Sequence, residues 1–180
     1  MNENSKSVKV KNAQSISRMC FICGEENILG LHCRFFTLAD GRVACQFTAR
    51  EEHQGYPGRM HGGVISAVMD ELIGRLVQVD DPEAFAVTID LNVKFRKPVP
   101  LGEELVAVSW LTNRKTRLLE GQAELCLSDG SVAVQASGKY IQLGVKRIAP
   151  EGMDESVWYD DTQPVPEFIQ IAATEQQSLE

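Results

Sequence analysis

The sequence has no long hydrophobic run. None of its segments reaches the roughly 18 uncharged apolar residues that a membrane-spanning helix needs. The opening MNENSKSVKVKNAQ is polar and has no apolar stretch of the kind found in a secretion signal. The five cysteines are an odd number, which suits free thiols in a reducing compartment better than a framework of disulfides. We therefore expect a cytoplasmic protein that does not bind a membrane.

The C-terminal part of the chain lacks basic residues. All 18 Lys and Arg residues lie in residues 1–148, whereas residues 149–180 hold eight acidic residues and no basic one. The first 148 residues are consequently almost neutral, a balance that argues against broad binding of a nucleic acid backbone. With 43% hydrophobic residues, the composition is sufficient for one packed domain. We expect a polar leader at residues 1–14, one domain at residues 15–148 and an acidic tail at residues 149–180.

Alternating and turn-forming segments predict an antiparallel sheet. LHCRFFTLADGRVACQFT indicates two strands joined at an Asp-Gly turn, and RLLEGQAELCLS is joined to VAVQASGKYIQL by a second Asp-Gly turn. With ELVAVSWLT and FAVTIDLNVKF, the last four strands would form a meander. In the segment 85–95, strict alternation predicts one apolar face, made of Phe85, Val87, Ile89, Leu91, Val93 and Phe95, and a second face made of Ala86, Thr88, Asp90, Asn92 and Lys94.

A helix is predicted between the first hairpin and these strands. Its apolar residues repeat at the spacing of one core-facing stripe: Val64, Ile65, Val68, Met69, Leu72, Ile73, Leu76 and Val77.

The second face of this helix is made of small residues around one acid. Asp70 lies in line with Ser66 and Gly74, and small residues allow another backbone to approach closely. The predicted fold class is α+β, with one antiparallel sheet wrapped around one long central helix. Since a single sheet cannot cover both faces of the helix, we expect a homo-oligomer, either a dimer or a dimer of dimers.

The segment HGGVISAVMDE, the preceding GYPGRM and the later TIDLNVKFRKPVPLGEEL resemble the hotdog-fold acyl-CoA thioesterases, specifically their phenylacetate-pathway (PaaI-like) branch. CFICGEENILGLHCRFF is similar to the opening segment of many such proteins. The resemblance covers roughly residues 18–143. It implies the hotdog fold, hydrolysis of an acyl-CoA to the free acid and coenzyme A, and no cofactor.

The residues themselves suit thioester hydrolysis, which needs a group to activate water or attack the carbonyl and donors for the oxyanion. The backbone N–H groups of Gly62 and Gly63 at the helix start are suitable donors, and the carboxylate of Asp70 is a suitable base or nucleophile. The residues alone also allow a structural interpretation, in which His61 caps the helix, the glycines form a turn and Asp70 holds a polar contact.

The resemblance favours the functional interpretation and implies four catalytic residues, Asp70, Gly62, Thr88 and His61, with Gly63 and Gln54 binding substrate. One position departs from the pattern. Many relatives carry an Asn six residues before the His, where this chain has Gly55. A carbonyl-holding role of that Asn would pass to Gln54 or His53.

Helix geometry separates Gly62 from Asp70. Eight residues correspond to about 12 Å along the axis and about 80° around it. The two residues therefore cannot touch the same carbonyl, and a shared site requires Gly62 of one subunit and Asp70 of its neighbour.

Glu71 points about 100° away from Asp70. It lies four residues before Arg75, which favours a structural ion pair.

Basic residues occur near the ends of the predicted strands, and the candidates for contact with the phosphates of coenzyme A are Arg96, Lys97, Arg114 and Arg117. Such residues also protect the edges of sheets, so the pattern allows both roles.

Four residues have a spacing that allows a zinc site: Cys20, Cys23, His32 and Cys33. In an alternating strand, His32 and Cys33 would point to opposite faces and would not easily share a metal. We expect no metal, and a turn with packed thiols at Cys20 and Cys23.

Three alternatives to hydrolysis by an attacking water remain: direct attack by Asp70, a hydratase and a binding module. Within the thioesterase hypothesis, either water attacks under Asp70 and Thr88, or Asp70 attacks directly and forms a mixed anhydride. A hotdog hydratase is disfavoured because its Asp and His pair lies on a different segment. A non-catalytic acyl-CoA-binding module usually has a DNA-binding helical segment before the fold, for which the short polar leader is too small.

Overall fold

The computed structural model describes residues 5–172. The helices are α1 (Gly62–Gly74) and the short α2 (Val145–Ile148), with 3-10 turns at Glu51–His53 and Arg75–Val79. The strands are β1 (Ser5–Ala13), β2 (Ile16–Ser17), β3 (Arg34–Leu38), β4 (Val43–Thr48), β5 (Phe85–Phe95), β6 (Glu104–Arg114), β7 (Leu118–Cys126), β8 (Val132–Leu143), β9 (Trp158–Tyr159) and β10 (Phe168–Ala172).

Eight of these strands form one antiparallel sheet in the order β10-β1-β3-β4-β6-β7-β8-β5, while β2 pairs with β9. Two hairpins have the predicted Asp-Gly turns. Gly41 between β3 and β4 has a φ of 83°, and Gly130 between β7 and β8 has a φ of 81°. Glycine adopts this left-handed region at little cost, so these residues explain where the chain reverses.

The apolar stripe of α1 packs against the sheet and forms the core with strands β4 to β8. The hydroxyl of Ser109 on β6 also donates a hydrogen bond to the carbonyl oxygen of Leu72, at 2.9 Å. The predicted α+β architecture, an antiparallel sheet around one long helix, is confirmed. No helix within residues 5–172 is both long and apolar enough to cross a membrane.

β5 lies at one edge of the sheet. It pairs with β8 and not with β6, so the four strands after α1 are not the simple meander that the sequence predicts. The other side of β5 has no partner strand within the described residues, and Ile89 and Phe95 are exposed by 57% and 51%. An unpaired strand edge with exposed apolar side chains is a surface suited to association.

The two ends of the described chain differ from the predicted leader and tail. The predicted leader contains β1, which lies between β3 and β10 and buries Val8 and Val10 against Ile169 and Ile171. Alternating lysines make this segment polar in composition although one of its faces is apolar. The parts of the predicted leader and tail at residues 1–4 and 173–180 lie outside the described residues. The domain boundaries at residues 14 and 148 stay a prediction.

Candidate active site

Asp70, in the third turn of α1, receives two hydrogen bonds on one carboxylate oxygen. Its Oδ1 accepts from Thr88 Oγ1 at 2.7 Å and from the Tyr140 hydroxyl at 2.9 Å. The Tyr140 oxygen also lies 3.0 Å from the carbonyl oxygen of Asp70. Asp70 and Thr88, which the resemblance implies as catalytic residues, are therefore in contact, and a third residue joins them.

A β-bulge in β5 brings Thr88 to the helix. The pairing with β8 shifts between Thr88 and Asp90, so that Ile89 is an extra residue in the strand. A bulge re-aims the side chains on either side of it. Thr88 reaches α1 from one side of the bulge, whereas Leu91 and Val93 pack on the same core from the other side. The prediction of strict alternation along residues 85–95 is wrong at this point.

Tyr140 is the residue of the site that the sequence analysis missed. It lies in β8, is 1% exposed and stands directly opposite Thr88. Its ring occupies space that Gly138 leaves free, since a Cβ at Gly138 would lie 2.6 Å from Tyr140 Cε2. The signal was present in the sequence: alternation in β8 places this tyrosine on the buried face, where a hydroxyl needs a partner.

The pKa of Tyr140 is raised well above its usual range, chiefly by burial and by the negative charge of Asp70. Tyr140 therefore keeps its proton near neutral pH and acts as a hydrogen-bond donor. Asp70 thus receives hydrogen bonds from two neutral hydroxyls.

The start of α1 combines a helix cap with two N–H groups, those of Gly62 and Val64, that have no acceptor within residues 5–172. His61 is the N-cap residue, and its Nδ1 accepts a hydrogen bond from the Gly63 N–H at 3.0 Å. The Ile65 N–H donates to the carbonyl oxygen of His61. Within the part of the chain that the structure describes, the Gly62 N–H has no acceptor. His61 therefore caps the helix as the structural interpretation predicts, whereas its catalytic role stays a prediction, and the Gly62 N–H is available to a ligand.

The loop before α1 holds Gln54 and Gly55 next to the helix cap. Gln54 Oε1 accepts a hydrogen bond from the Gly58 N–H at 2.8 Å, and within residues 5–172 the amide nitrogen of Gln54 donates no hydrogen bond. A Cβ at Gly55 would lie 3.1 Å from His61 Cα, so the loop passes close to the cap. His53 is buried, and its Nδ1 accepts from the Arg50 N–H. Of the two residues proposed to replace the missing Asn, the exposed Gln54 is therefore the better placed.

A cleft of about 360 Å³ adjoins Asp70. Thr88 and Tyr140 line it, together with Met153 and Trp158 from the C-terminal segment. A neighbouring cleft of about 430 Å³ does not include Asp70 and has Arg117 and Arg147 in its wall. The chemistry of Asp70 assigns the first cleft as the candidate site.

Glu71 forms the predicted ion pair with Arg75. Arg75 Nε donates to Glu71 Oε1 at 2.9 Å. The guanidinium is buried, donates to the carbonyl oxygen of Ser15 and lies 4.1 Å from the ring centroid of Phe35. Burial alone would lower the pKa of Arg75, but Glu71 and Cys23 raise it above its usual value. Glu71 is therefore engaged in a structural contact.

The basic residues considered for contact with coenzyme A lie in two groups at opposite ends of the sheet. Arg96 and Lys97 follow β5, near the β7–β8 turn, whereas Arg114 and Arg117 flank the β6–β7 turn, level with the start of β5. At about 3.3 Å per residue, the two groups are roughly 25 Å apart in one chain. The two groups do not meet within one chain because β5 and β6 run in opposite directions, so that their C-terminal ends lie at opposite ends of the sheet.

The four residues considered as zinc ligands do not come together as one set. His32 and Cys33 precede β3, and His32 Nε2 lies 2.9 Å from the carbonyl oxygen of Asn27. Within residues 5–172, the one group with metal-ligating atoms in reach of each other is Cys20, Cys23 and Glu71, at 4.8 Å or less. The absence of a metal stays a prediction.

Comparisons with known proteins point to a single family. Residues 57–134 match the model of the thioesterase superfamily. Human acyl-coenzyme A thioesterase 13 is 26% identical over 119 residues, which cover 66% of this chain and 79% of that protein. Rat acyl-coenzyme A thioesterase THEM4 is 28% identical over 139 residues, covering 77% of this chain and 57% of that protein. The crystal structure of a thioesterase superfamily protein superimposes with a TM-score of 0.62 at 27% identity, covering 69% of this chain and 60% of the other.

Proposed function

We propose that this chain, whose residues 57–134 match the model of the thioesterase superfamily, hydrolyses the thioester of an acyl-coenzyme A to a free acid and coenzyme A. The names of the human and rat relatives support this substrate class. Membership of the PaaI-like branch rests on the HGG segment and on the acid nine residues after its His. A cytoplasmic location and the absence of a cofactor are parts of the same proposal.

The observation that carries the proposal is the fixed carboxylate of Asp70. Thr88 and Tyr140 both donate to Oδ1, which holds the orientation of the group. Within residues 5–172, Oδ2 accepts no hydrogen bond and is left for an attacking water. A carboxylate held in this way beside a cleft has the geometry of a general base.

In the proposed reaction, Asp70 Oδ2 takes a proton from water while the water oxygen attacks the thioester carbonyl carbon. The Gly62 N–H holds the oxyanion at the positive end of α1. The carbon–sulfur bond then breaks, and the proton passes to the sulfur of coenzyme A. Direct attack by Oδ2 is the alternative, and ¹⁸O from labelled water found in Asp70 after turnover would identify it.

The complete site requires two copies of the chain. Gly62 and Asp70 are both in α1, about 12 Å apart along its axis. The unpaired edge of β5 and its exposed Ile89 and Phe95 support association at this side of the molecule. We therefore propose that Gly62 of one copy and Asp70 of the other serve one thioester in a homodimer, alone or within a dimer of dimers.

The same arrangement would bring the two groups of basic residues together, one group from each copy. A Cβ at Gly62 would lie 3.6 Å from Phe95 Cζ, so the start of α1 lies at the end of β5, near Arg96 and Lys97. If two α1 helices pair in antiparallel fashion, the Gly62 end of one copy meets the Asp70 end of the other. Arg96 and Lys97 of one copy then approach Arg114 and Arg117 of the other, where they suit the phosphates of coenzyme A.

The test is a panel of acyl-CoA substrates assayed with a thiol reagent for released coenzyme A. Asp70→Asn should lower turnover by roughly two to four orders of magnitude, because positioned general bases contribute about that much. Asp40→Asn, at the remote β3–β4 turn, is the matched control and should turn over normally. Tight binding of acyl-CoA without release would instead indicate a binding module. Normal turnover in a folded Asp70→Asn variant would remove Asp70 from the reaction.

A further inference from the structure

The segment CFICG at residues 20–24 forms a tight turn around one sulfur atom. The N–H groups of Ile22 and Cys23 approach Cys20 Sγ at 3.3 and 3.5 Å. The Gly24 N–H donates to the carbonyl oxygen of Cys20, and a Cβ at Gly24 would lie 2.6 Å from Cys20 backbone atoms. The turn therefore needs glycine at this position and directs backbone donors at the Cys20 sulfur.

The two thiols of the turn are adjacent but different. Their sulfur atoms lie within 4.8 Å of each other, and Cys20 is partly exposed whereas Cys23 is buried. A hydrogen bond from the Cys23 thiol lowers the pKa of Cys20 to about 6. The same bond, together with burial, raises the pKa of Cys23. In reactive Cys-X-X-Cys pairs, the exposed thiol with the lower pKa attacks and the other thiol resolves, and Cys20 and Cys23 differ in the same way.

A buried cation stands next to the pair and disfavours a metal. An Arg75 terminal nitrogen lies 3.2 Å from Cys23 Sγ, and the same guanidinium is bound to Glu71. The third ligand that a metal would need is therefore already neutralised. A divalent cation would also be repelled at short range by a guanidinium in a poorly solvated environment. The guanidinium contacts the Cys23 sulfur and favours negative charge there, which helps Cys23 to lose its proton when it attacks Cys20.

We propose that Cys20 and Cys23 form a redox-active dithiol that a hydroperoxide oxidises to a disulfide. The Cys20 thiolate attacks the distal oxygen of the peroxide, the O–O bond breaks, and Cys20 becomes a sulfenic acid while hydroxide or alkoxide leaves. The Cys23 sulfur then attacks Cys20, a disulfide forms, and the sulfenic oxygen leaves as water with the Cys23 proton. The two thiols lose two electrons, and the peroxide gains them. This site is independent of thioester hydrolysis.

The chain contains a matched control thiol. Cys126 is also partly exposed, but burial and the acids Glu124 and Asp129 raise its pKa to about 11. Cys33 and Cys45 are fully buried. Solvent access alone would make Cys20 and Cys126 similar in reactivity. A difference in their reactivity therefore measures the effect of the turn around Cys20.

The experiment treats the purified, reduced chain with one equivalent of hydrogen peroxide and locates the product by peptide mass spectrometry. We expect the loss of two hydrogen atoms in the peptide that contains Cys20 and Cys23, reversed by dithiothreitol. In Cys23→Ser, a 1,3-dione reagent should trap the sulfenic acid at Cys20. At pH 7, iodoacetamide should alkylate Cys20 at least about tenfold faster than Cys126, after allowing for the lower nucleophilicity of the more acidic thiol. Cys126→Ser should leave all of these results unchanged.

Peroxide that oxidises Cys126 as fast as Cys20, or that leaves the pair reduced, would overturn the proposal. So would one zinc per chain that survives dialysis and is lost in Cys20→Ser. The decisive measurements use the unmodified chain, so they do not depend on whether a variant folds.

Discussion

Thr88 and Tyr140 lie directly opposite each other in the β5–β8 ladder, and both hydroxyls donate to Asp70 Oδ1. Two neighbouring strands thus fix one oxygen of a helical carboxylate. Since Tyr140 is buried and Thr88 is exposed, the two donors differ in how freely they move. Their separate effects on turnover can be measured.

Tyr140→Phe removes the buried donor and keeps the ring. We expect kcat to fall roughly 10-fold, because a hydrogen bond to a charged group contributes about 1.5–3 kcal/mol and Thr88 still holds Asp70 Oδ1. Steady-state kinetics on an acyl-CoA substrate measure the effect. Tyr159→Phe, on the separate strand β9, is the control and should be silent. A Tyr140→Phe variant with unchanged kcat would show that Thr88 alone is sufficient.

Gly138→Ala should damage the site without changing a polar group. Its Cβ would lie 2.6 Å from Tyr140 Cε2, so the ring must move and its hydroxyl must leave Asp70. We expect a loss of turnover of at least about 10-fold, comparable with the loss of the hydrogen bond itself. Gly144→Ala has no atom within 4 Å of the added Cβ and is the matched control. Equal activities of the two variants would contradict this account of Tyr140.

Mixed dimers test whether the site is shared. Gly62→Pro removes the free N–H, and Asp70→Ala removes the carboxylate, so each variant alone should be nearly inactive. In a mixed dimer, one site combines both lesions and the other has an intact Gly62 and an intact Asp70. Refolding the variants together should restore about a quarter of wild-type activity, since random mixing makes half of the dimers mixed.

The structure favours this choice of variant. Gly62 is the first residue of α1, where proline is tolerated, and His61 already has the extended ψ of 133° that suits a residue before proline. Gly62→Ala keeps the N–H and makes ordinary contact with Phe95, so it should retain activity. If mixed dimers form and show no gain over their parents, each site is built within one chain.

Arg75 should contribute far more to stability than a surface arginine. Arg75→Ala leaves Glu71 without its partner and removes the contacts with Ser15 and Phe35. We expect the free energy of unfolding in urea to fall by roughly 3–5 kcal/mol. Arg114→Ala breaks an exposed pair with Asp80 and should cost about 1 kcal/mol or less. Equal costs would show that the burial of Arg75 adds nothing.

The helix and its acid could be predicted because periodicity and spacing are local properties of the chain. The apolar stripe of α1, the bounds of the segment 85–95 and the Glu71–Arg75 pair follow from neighbours along the sequence. The bulge at Ile89 could not be predicted in this way, because the apolar alternation continues through it without a glycine. It depends on the register with β8, which is set by residues fifty positions away.

Further features could not be predicted because they depend on which strands pair or on which face of a strand is buried. Tyr140 is 70 positions from Asp70, and only the order of the strands brings them together. The opposite directions of β5 and β6 likewise separate basic residues that all lie near strand ends in the linear sequence. At Ser5–Ala13, composition alone does not predict the strand, because the lysines make the segment polar although Val8 and Val10 are buried.

The edge of β5 has no partner strand within residues 5–172, and in the proposed dimer the number of working sites would depend on how much of the protein is present. If a site exists only where two copies meet, the number of sites below the dissociation constant grows with the square of the chain concentration. A tenfold dilution in that range would then lower the rate about a hundredfold by mass action, and the specific activity about tenfold. Specific activity measured at nanomolar enzyme would consequently differ from that at the micromolar concentrations used for purification, and preincubation at high concentration would produce a slow decay after dilution.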